Sequence, residues 1–563
     1  MKKLIIFLAT LLALTLSDNS HAQNNKTNLD YNLEKAFEVL REENDYAKAF
    51  DYVNKQLQLT PDYVDALLLR VRLFRYRDEY GRAMQDINHA IKVNRPRRSG
   101  VSNATLHWWK ATIYEDMDDM ENCAASLKTA YQLARKEDKD NLQNISFDYA
   151  QALYDLDDLA GADAIYRAML RQNEADQAAM VGLARNMNLR GEYDQAIALL
   201  EKCQKYDPSY SEIYRFKMRT YDKLGDSVKA IDAGLDWFER DDDADFNSIL
   251  EVFVKRQNYA EAGIKTRAKA SDDPFVWDAL LCNFYQECGR YAQAIGAYDA
   301  LEEGYGHFPR LNELRSRCYK ELGLYDLAIT DISLALEWAD DWEDYCYRGD
   351  YYRLSGDLDS AIADFTAAIA ELPDEPFAYY RRGWCYELKG DIDNALKDYD
   401  TGLDLADDYP YLNLMRGEIL YKRGDREAAA ADFKKILELD TEPDVSSCRM
   451  YALHFLGRDT EADEWMDRII AAEPEDDGNY YDLACLRSLQ GRSQESIAAL
   501  RTAFEKGYRS FAHIQMDDDL DSVRNLPEFK ALIKEYEAKH AEFLKSYEFR
   551  TPKGPSPINT MAI

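Results

Sequence analysis

The chain has 563 residues, a net charge of −34 and 46% hydrophobic residues. So acidic a surface argues against nucleic acid as the main partner, because binding phosphates needs a positive face. It also disfavours anionic membrane surfaces.

The N-terminus reads MKKLIIFLATLLALTL, a basic start followed by an apolar run of about 13 residues. Small residues then stand at the −3 and −1 positions of a cleavage after Ala22. This is the pattern of a secretory signal peptide over residues 1–22. The run is shorter than the ~20 residues of a comfortable membrane span, and no Cys follows it to accept a lipid. The mature chain is expected to be periplasmic or secreted, with no integral membrane segment after signal cleavage. Residues 23–29 are read as a short linker.

Residues 30–507 repeat. Gly289, Gly323, Gly356, Gly390 and Gly424 are spaced 34, 33, 34 and 34 apart, each ahead of a segment such as GDLDSAI. A period near 34 marks stacked helical hairpins, each burying its apolar face only against its neighbours. Fourteen turn residues carry the register: Asn44, Asp78, Asp118, Asp157, Gly191, Gly225, Gln257, Gly289, Gly323, Gly356, Gly390, Gly424, Gly457 and Gly491. Gly, Asn and Asp tolerate the left-handed backbone of a helix exit; Gln257 is the exception and marks a weaker copy. Five residues after every turn stands a small side chain, Ala in twelve copies, Cys123 and Ser496 in the others. Close approach of two helices is the physical reason. Nine after the turn the residue is usually large and apolar, as at Ile87, Tyr166, Leu200, Tyr298, Phe365, Tyr399 and Phe433. Seventeen after it, Pro61, Pro208, Pro274, Pro373 and Pro474 stop the second helix. The spacing stretches to 40 and 39 residues around Asp118, with a longer loop expected near Arg95.

These positions resemble those of tetratricopeptide repeat (TPR) proteins, most clearly between Trp342 and Asp407. The resemblance implies an all-α fold, a right-handed superhelical α-solenoid of about fourteen TPR helix-turn-helix repeats with a C-terminal helical cap. It also implies a non-catalytic scaffold or adaptor that binds protein or peptide partners through the first helix of each pair. Groove-facing candidates on that basis are Arg185, Arg215, Arg219, Arg317, Lys320, Phe377, Tyr380 and Trp384. The last three, with Glu387, fall on one helical stripe. The cations suit an acidic peptide or carboxylate; the aromatics suit an interface anchor. A self-assembling scaffold and a carbohydrate-binding or enzyme-associated module are the alternatives, and homo-oligomerisation is left open.

A pairing emerges from the repeats themselves. Arg70, Arg315, Arg348, Arg382 and Arg416 stand eight before their turns, and Asp86, Asp331, Asp364, Asp398 and Asp432 eight after. A sixth copy has Arg449 but Trp465 opposite, and no copy lacking the Arg has the Asp. An Arg–Asp bridge between the two helices is expected, within a repeat or to the next, because the guanidinium fork matches a carboxylate.

Motif matches elsewhere carry no chemistry. The tripeptide Asp400-Thr401-Gly402 lies inside a repeat helix, whereas aspartic-protease chemistry needs paired loops sharing a proton. Residues 517–528 place acids at calcium-loop positions but have Ser522 where that loop needs Gly, and Arg524 and Pro527 inside it. Seven scattered His form no ligand cluster, and there is no phosphate loop. No metal, cofactor or catalytic residue is expected. Of nine Cys, Cys123, Cys203, Cys282, Cys318 and Cys385 sit at packing positions and read as buried small hydrophobes. Residues 508–540 are read as a capping segment closing the last repeat. Residues 541–563, rich in Pro and Gly near the end, read as a disordered tail.

Overall fold

The structure, a computed structural model, describes residues 31–439 and 447–552. The expected signal peptide and linker lie outside the described residues, as do residues 553–563. The described chain is a succession of helix pairs forming an α-helical repeat solenoid. Packing divides it into two units, Met1–Ala244 and Asp245–Ile563. No helix among the described residues is long and apolar enough to cross a membrane.

The hairpin turn is built as the register requires. Thirteen of the fourteen turn residues have positive φ, from 52° at Asn44 to 90° at Gly424. The turn closes by a 6→1 hydrogen bond, as where Asp357 N–H donates to the carbonyl of Tyr352 at 2.9 Å. In seven copies the next residue is an Asp that caps the second helix. Asp158 accepts from Gly161 N–H at 2.8 Å and Asp357 from Ser360 N–H at 3.1 Å, satisfying N–H groups that a helix start leaves open.

Packing follows the same register. Ala83, Ala162, Ala196, Ala328, Ala361 and Ala395 are fully buried, as are Ile87, Tyr166, Leu200, Phe365 and Tyr399. The aromatic ring lies on a glycine or other small residue of the first helix. A Cβ added at Gly383 would stand 2.5 Å from the Tyr399 ring, and one at Gly417 2.7 Å from Phe433. Gly402 faces Leu412 with a hypothetical Cβ at 2.6 Å, so the protease-like tripeptide is a packing position. Eight of the nine cysteines are buried, and all nine are free thiols.

One copy corrects the register. At Gln257 φ is −49°, and the hairpin is joined by a short 3-10 turn, Val254–Arg256, rather than a left-handed residue. Ala262 is exposed there, while Ala260 and Ile264 are buried. The packing frame therefore starts two residues earlier, at Lys255, which restores a 34-residue step to Gly289. The wide spacing around Asp118 has two causes. The link after Asn94 contains an extra turn, Pro96–Ser99, and the helix Met120–Glu137 runs to 18 residues where its counterparts have 14.

All five predicted Arg–Asp bridges form inside their own repeats. Arg348 Nε and Nη2 both donate to Asp364 at 2.8 Å, and Arg382 does the same to Asp398. The third nitrogen of each fork reaches the second helix of the preceding repeat: Asn54, Asp299, Ser333, Thr366 and Asp400 in turn. The fork thus joins a hairpin internally and to its predecessor. Arg449 instead lies 4.7 Å above the Trp465 ring.

The capping segment and the start of the predicted tail are ordered. Ile514, Leu520, Val523, Phe529, Leu532 and Ile533 join the core of the last repeats. Arg524 donates to the backbone carbonyls of Ile514 and Gln515 at 2.8 and 2.7 Å and also to that of Asp517. The calcium-loop-like stretch is thus organised around an internal cation. The last helix continues to Leu544, past the expected end of the cap. Beyond it, Tyr319 Oη donates to the Arg550 carbonyl at 3.1 Å, and the Tyr319 and Phe549 rings lie 6.3 Å apart.

Candidate functional site

Two of the three candidate cations of the first unit are held by near neighbours. Arg185 lies flat on the Tyr154 ring at 3.4 Å and donates to Gln151 at 2.9 Å. Arg215 pairs with Glu212 one helical turn away and rests over Phe216 at 4.7 Å. Arg219 is exposed, with no ion pair among the described residues. These three do not converge on one pocket.

The candidates of the second unit do gather. A cavity of about 640 Å³ is lined from the first helices of four successive pairs, by Glu287, Arg317, Lys320, Asp350, Arg353 and Arg381 among others, with Tyr291 from a second helix. Its remaining wall is Tyr508, Ser510 and His513, from the capping segment. Lys320 pairs with Glu321 at 2.8 Å. Arg317 donates to Glu313 and to Tyr347 Oη, the latter at 2.9 Å.

Phe377, Tyr380 and Trp384 form the expected stripe, but as a packed ladder. Tyr380 stacks on Trp384 with centroids 6.1 Å apart, and Phe377 meets Tyr380 edge-on at 6.3 Å. Tyr380 is buried, with Tyr409 and Tyr411 against it. Arg353 lies 4.0 Å above the Trp384 ring, and Arg381 runs along all three rings at 4.9, 5.1 and 5.6 Å. His513 closes the free edge of Trp384 at 5.7 Å. Only Trp384 and Phe377 of this stripe remain partly accessible.

Arg353, Arg381, Asp350 and His513 are absent from the sequence-based candidates, although Asp350 and Arg353 stand six and three residues before Gly356, the register of Arg317 and Lys320 before Gly323. Arg381 stands nine before Gly390, off that register, and His513 arrives from outside the repeats. Asp350 accepts from Arg353 Nε at 3.0 Å and faces Arg381 Nε at 3.5 Å. Burial works against its charge, but Arg381 and Arg353 outweigh that and hold its carboxyl below the usual range. Burial, then Arg353 and Arg381, push His513 down to about 4 against the pull of Asp517, so the ring is neutral at pH 7.

Beyond the cavity the capping segment brings acids together. Lys422 pairs with Asp518 at 2.8 Å and approaches Glu387 and Glu418 at 3.8 and 3.9 Å. Burial pushes Glu418 up to about 8, in spite of Lys422. Among the described residues one donor set has metal-like spacing: Cys485 Sγ, Asp517 and Asp519 lie within 4.8 Å of one another. Asp517 already accepts from Tyr481 Oη at 2.5 Å and from Cys485 Sγ at 3.6 Å.

Comparison with known proteins identifies the repeats. Tetratricopeptide-repeat models match residues 104–137, 178–210, 376–409 and 410–443. A chloroplastic protein of Arabidopsis thaliana is 30% identical over 84 residues, 14% of this chain, and the match spans a quarter of that relative's length. Among solved structures, yeast Tom70 is 13% identical, with 79% of this chain and 97% of that one covered at a TM-score of 0.35. The APC/C hetero-tetramer Cut9-Hcn1 is 14% identical, covering 93% and 98% at a TM-score of 0.31. MamA is 22% identical, covering 28% and 94% at a TM-score of 0.27. Likenesses at this level say nothing about a partner.

Proposed function

We propose that this chain, built of tetratricopeptide repeats, is an exported, non-catalytic scaffold that binds a protein or peptide partner on the first-helix face of its repeats. Such repeats generally serve as scaffolds for protein–protein contact. The observation that carries the reading is the cavity of the second unit. There Arg317, Lys320, Arg353 and Arg381 face inward instead of into the repeat core. A preformed wall of this kind binds with little ordering cost, and Arg and Trp are frequent anchors of interfaces.

Crosslinking of the tagged chain in cells, followed by mass spectrometry, tests the reading. A small set of enriched proteins is expected, reduced on Arg317→Glu or Trp384→Ala in the second unit, or on Arg215→Glu with Arg219→Glu in the first. Recovery of the chain alone, in every variant, removes the partner-binding reading and favours self-assembly. Export rests on the signal-like N-terminus and is tested separately. Cleavage after Ala22 makes Gln23 the first residue of the mature protein, and N-terminal sequencing that begins at Met1 rejects it.

A further inference from the structure

We infer that the cavity of the second unit binds a small organic oxyanion, a carboxylate or phosphate ester, against Arg353 and Arg381. This deepens the partner-binding reading and rests on it for the choice of face. Two guanidinium groups share a single acid there. Asp350 takes Arg353 Nε at 3.0 Å and Arg381 only at 3.5 Å. Arg353 is 4% exposed, yet its Nη1 has no hydrogen-bond partner, and Arg381 Nε and Arg317 Nε are likewise buried without one. An unmet N–H on a buried cation costs free energy. These three atoms are closed to solvent, so it is the open parts of the same groups, Arg317 and Arg381 with side chains 31% and 22% exposed, that can give an oxyanion charge-assisted bonds of the stronger kind.

The surroundings favour the same chemistry. Lys320 adds a further positive charge beside Asp350. Of the lining acids, Glu321 is taken by Lys320 at 2.8 Å, and Glu287 comes from the far wall. His513 is neutral and closes the pocket without repelling an anion. A cavity of about 640 Å³ falls within the roughly 300–1,000 Å³ of small-molecule sites. Its fourth wall, from residues 508–513 of the same chain, narrows the space for a through-going peptide. The tyrosines at 291, 347, 351 and 508 offer hydroxyls and ring faces for the organic part.

Titration calorimetry on the full mature chain is the test, with citrate and inorganic phosphate as probes at constant ionic strength. Saturable binding of at least one probe is expected; a preference for citrate indicates the carboxylate source, and for phosphate the ester. Arg381→Gln should weaken it at least tenfold. Because Arg381 also packs on the aromatic ladder, Arg317→Gln serves as a second variant with a smaller loss, and thermal melting shows whether each folds. Arg171→Gln, at an exposed position on a second helix of the first unit, should leave affinity unchanged. No binding of either probe, or binding that both cavity variants leave intact, overturns the inference. Binding of a hexaglutamate peptide without either small anion also overturns it, in favour of an extended acidic partner. Crosslinked proteins recovered while neither anion binds defeat this inference and leave the scaffold reading standing. An anion lost on Arg381→Gln, with no protein recovered, does the reverse.

Discussion

The two units use one hairpin and differ in what braces it. The second unit carries four Arg–Asp forks in successive repeats, from Arg315 to Arg416, and its capping segment folds back to Leu322, where His540 Nε2 meets the carbonyl at 2.8 Å. The first unit has one fork, Arg70–Asp86, and then a device that the second unit has too, at Asp463 under Arg487 and Gln490. Asp163 accepts from Asn186 at 2.9 Å and Arg190 at 3.0 Å, both in the following repeat. Where polar braces repeat in register and a later segment covers the first-helix face, the inward cations share a cavity. Where they do not, Arg185 and Arg215 are satisfied one turn or one helix away. A repeat array therefore does not become a site merely by repeating.

The largest expected effect separates the forks by burial. Asp331 is fully buried and its partner Arg315 is 1% exposed. Asp331→Ala strips two bonds from the buried Arg315 guanidinium but leaves it Asp299 and Glu302, so it should destabilise the second unit by about 3 kcal/mol, the lower end for a buried charge that loses its partner. Asp86→Ala, whose pair has side chains 11% and 24% exposed, should cost clearly less in the first. Urea melts of both variants check this, and equal losses would show that burial does not set the strength of the fork. A double-mutant cycle with Arg348 and Asp364 should show coupling, since a bridge without it is only a coincidence of placement.

Next come the packing positions. Ala361→Leu should cost roughly 1–3 kcal/mol by overpacking, and Ala260→Leu the same, because both are fully buried. Ala262→Leu should be close to neutral. A costly Ala262→Leu with a silent Ala260→Leu would restore the frame that places the turn at Gln257. Gly383→Ala is a narrower probe: its Cβ would meet the Tyr399 ring at 2.5 Å, whereas Gly296 has nothing within 4 Å. Thermal melting should drop for the first and hardly move for the second.

Most of this fold is legible in the sequence because each repeat is a repeated measurement of the same local rule. The left-handed turns, the buried Ala line and the Arg–Asp forks each recur, so a single odd residue cannot hide them. The Lys255–Gln257 copy misleads because its turn has no left-handed residue to anchor on, and two alanines, Ala260 and Ala262, compete for one packing role. The aromatic stripe is where its spacing puts it, but its burial depends on Tyr409 and Tyr411 from the next repeat. The cavity is the least legible part. Its walls join residues such as Arg353 and His513, 160 positions apart, through contacts that occur once. No internal repetition can report a contact made once.

The smallest expected effect concerns pH, and its largest contributions fall on the second unit. Glu418 is buried, and burial raises its carboxyl from 4.5 to about 8 despite Lys422 nearby. A carboxyl with a raised folded-state pKa contributes its stability in the protonated form. That contribution is fully present below about 4.5 and is lost as pH rises through about 8. Asp482, raised to about 7 by burial, acts in the same direction. The melting temperature of the second unit should therefore rise on going from pH 8.5 to 6. Glu418→Gln should flatten the rise, because the amide keeps the shape of the protonated acid without its charge. Lys422→Met should steepen it, since the remaining acids then lose the cation that tempers them. A pH profile identical in wild type and Glu418→Gln would mean that water reaches this carboxyl, and that the capping segment closes the second unit less tightly than the Lys422–Asp518 pair at 2.8 Å implies.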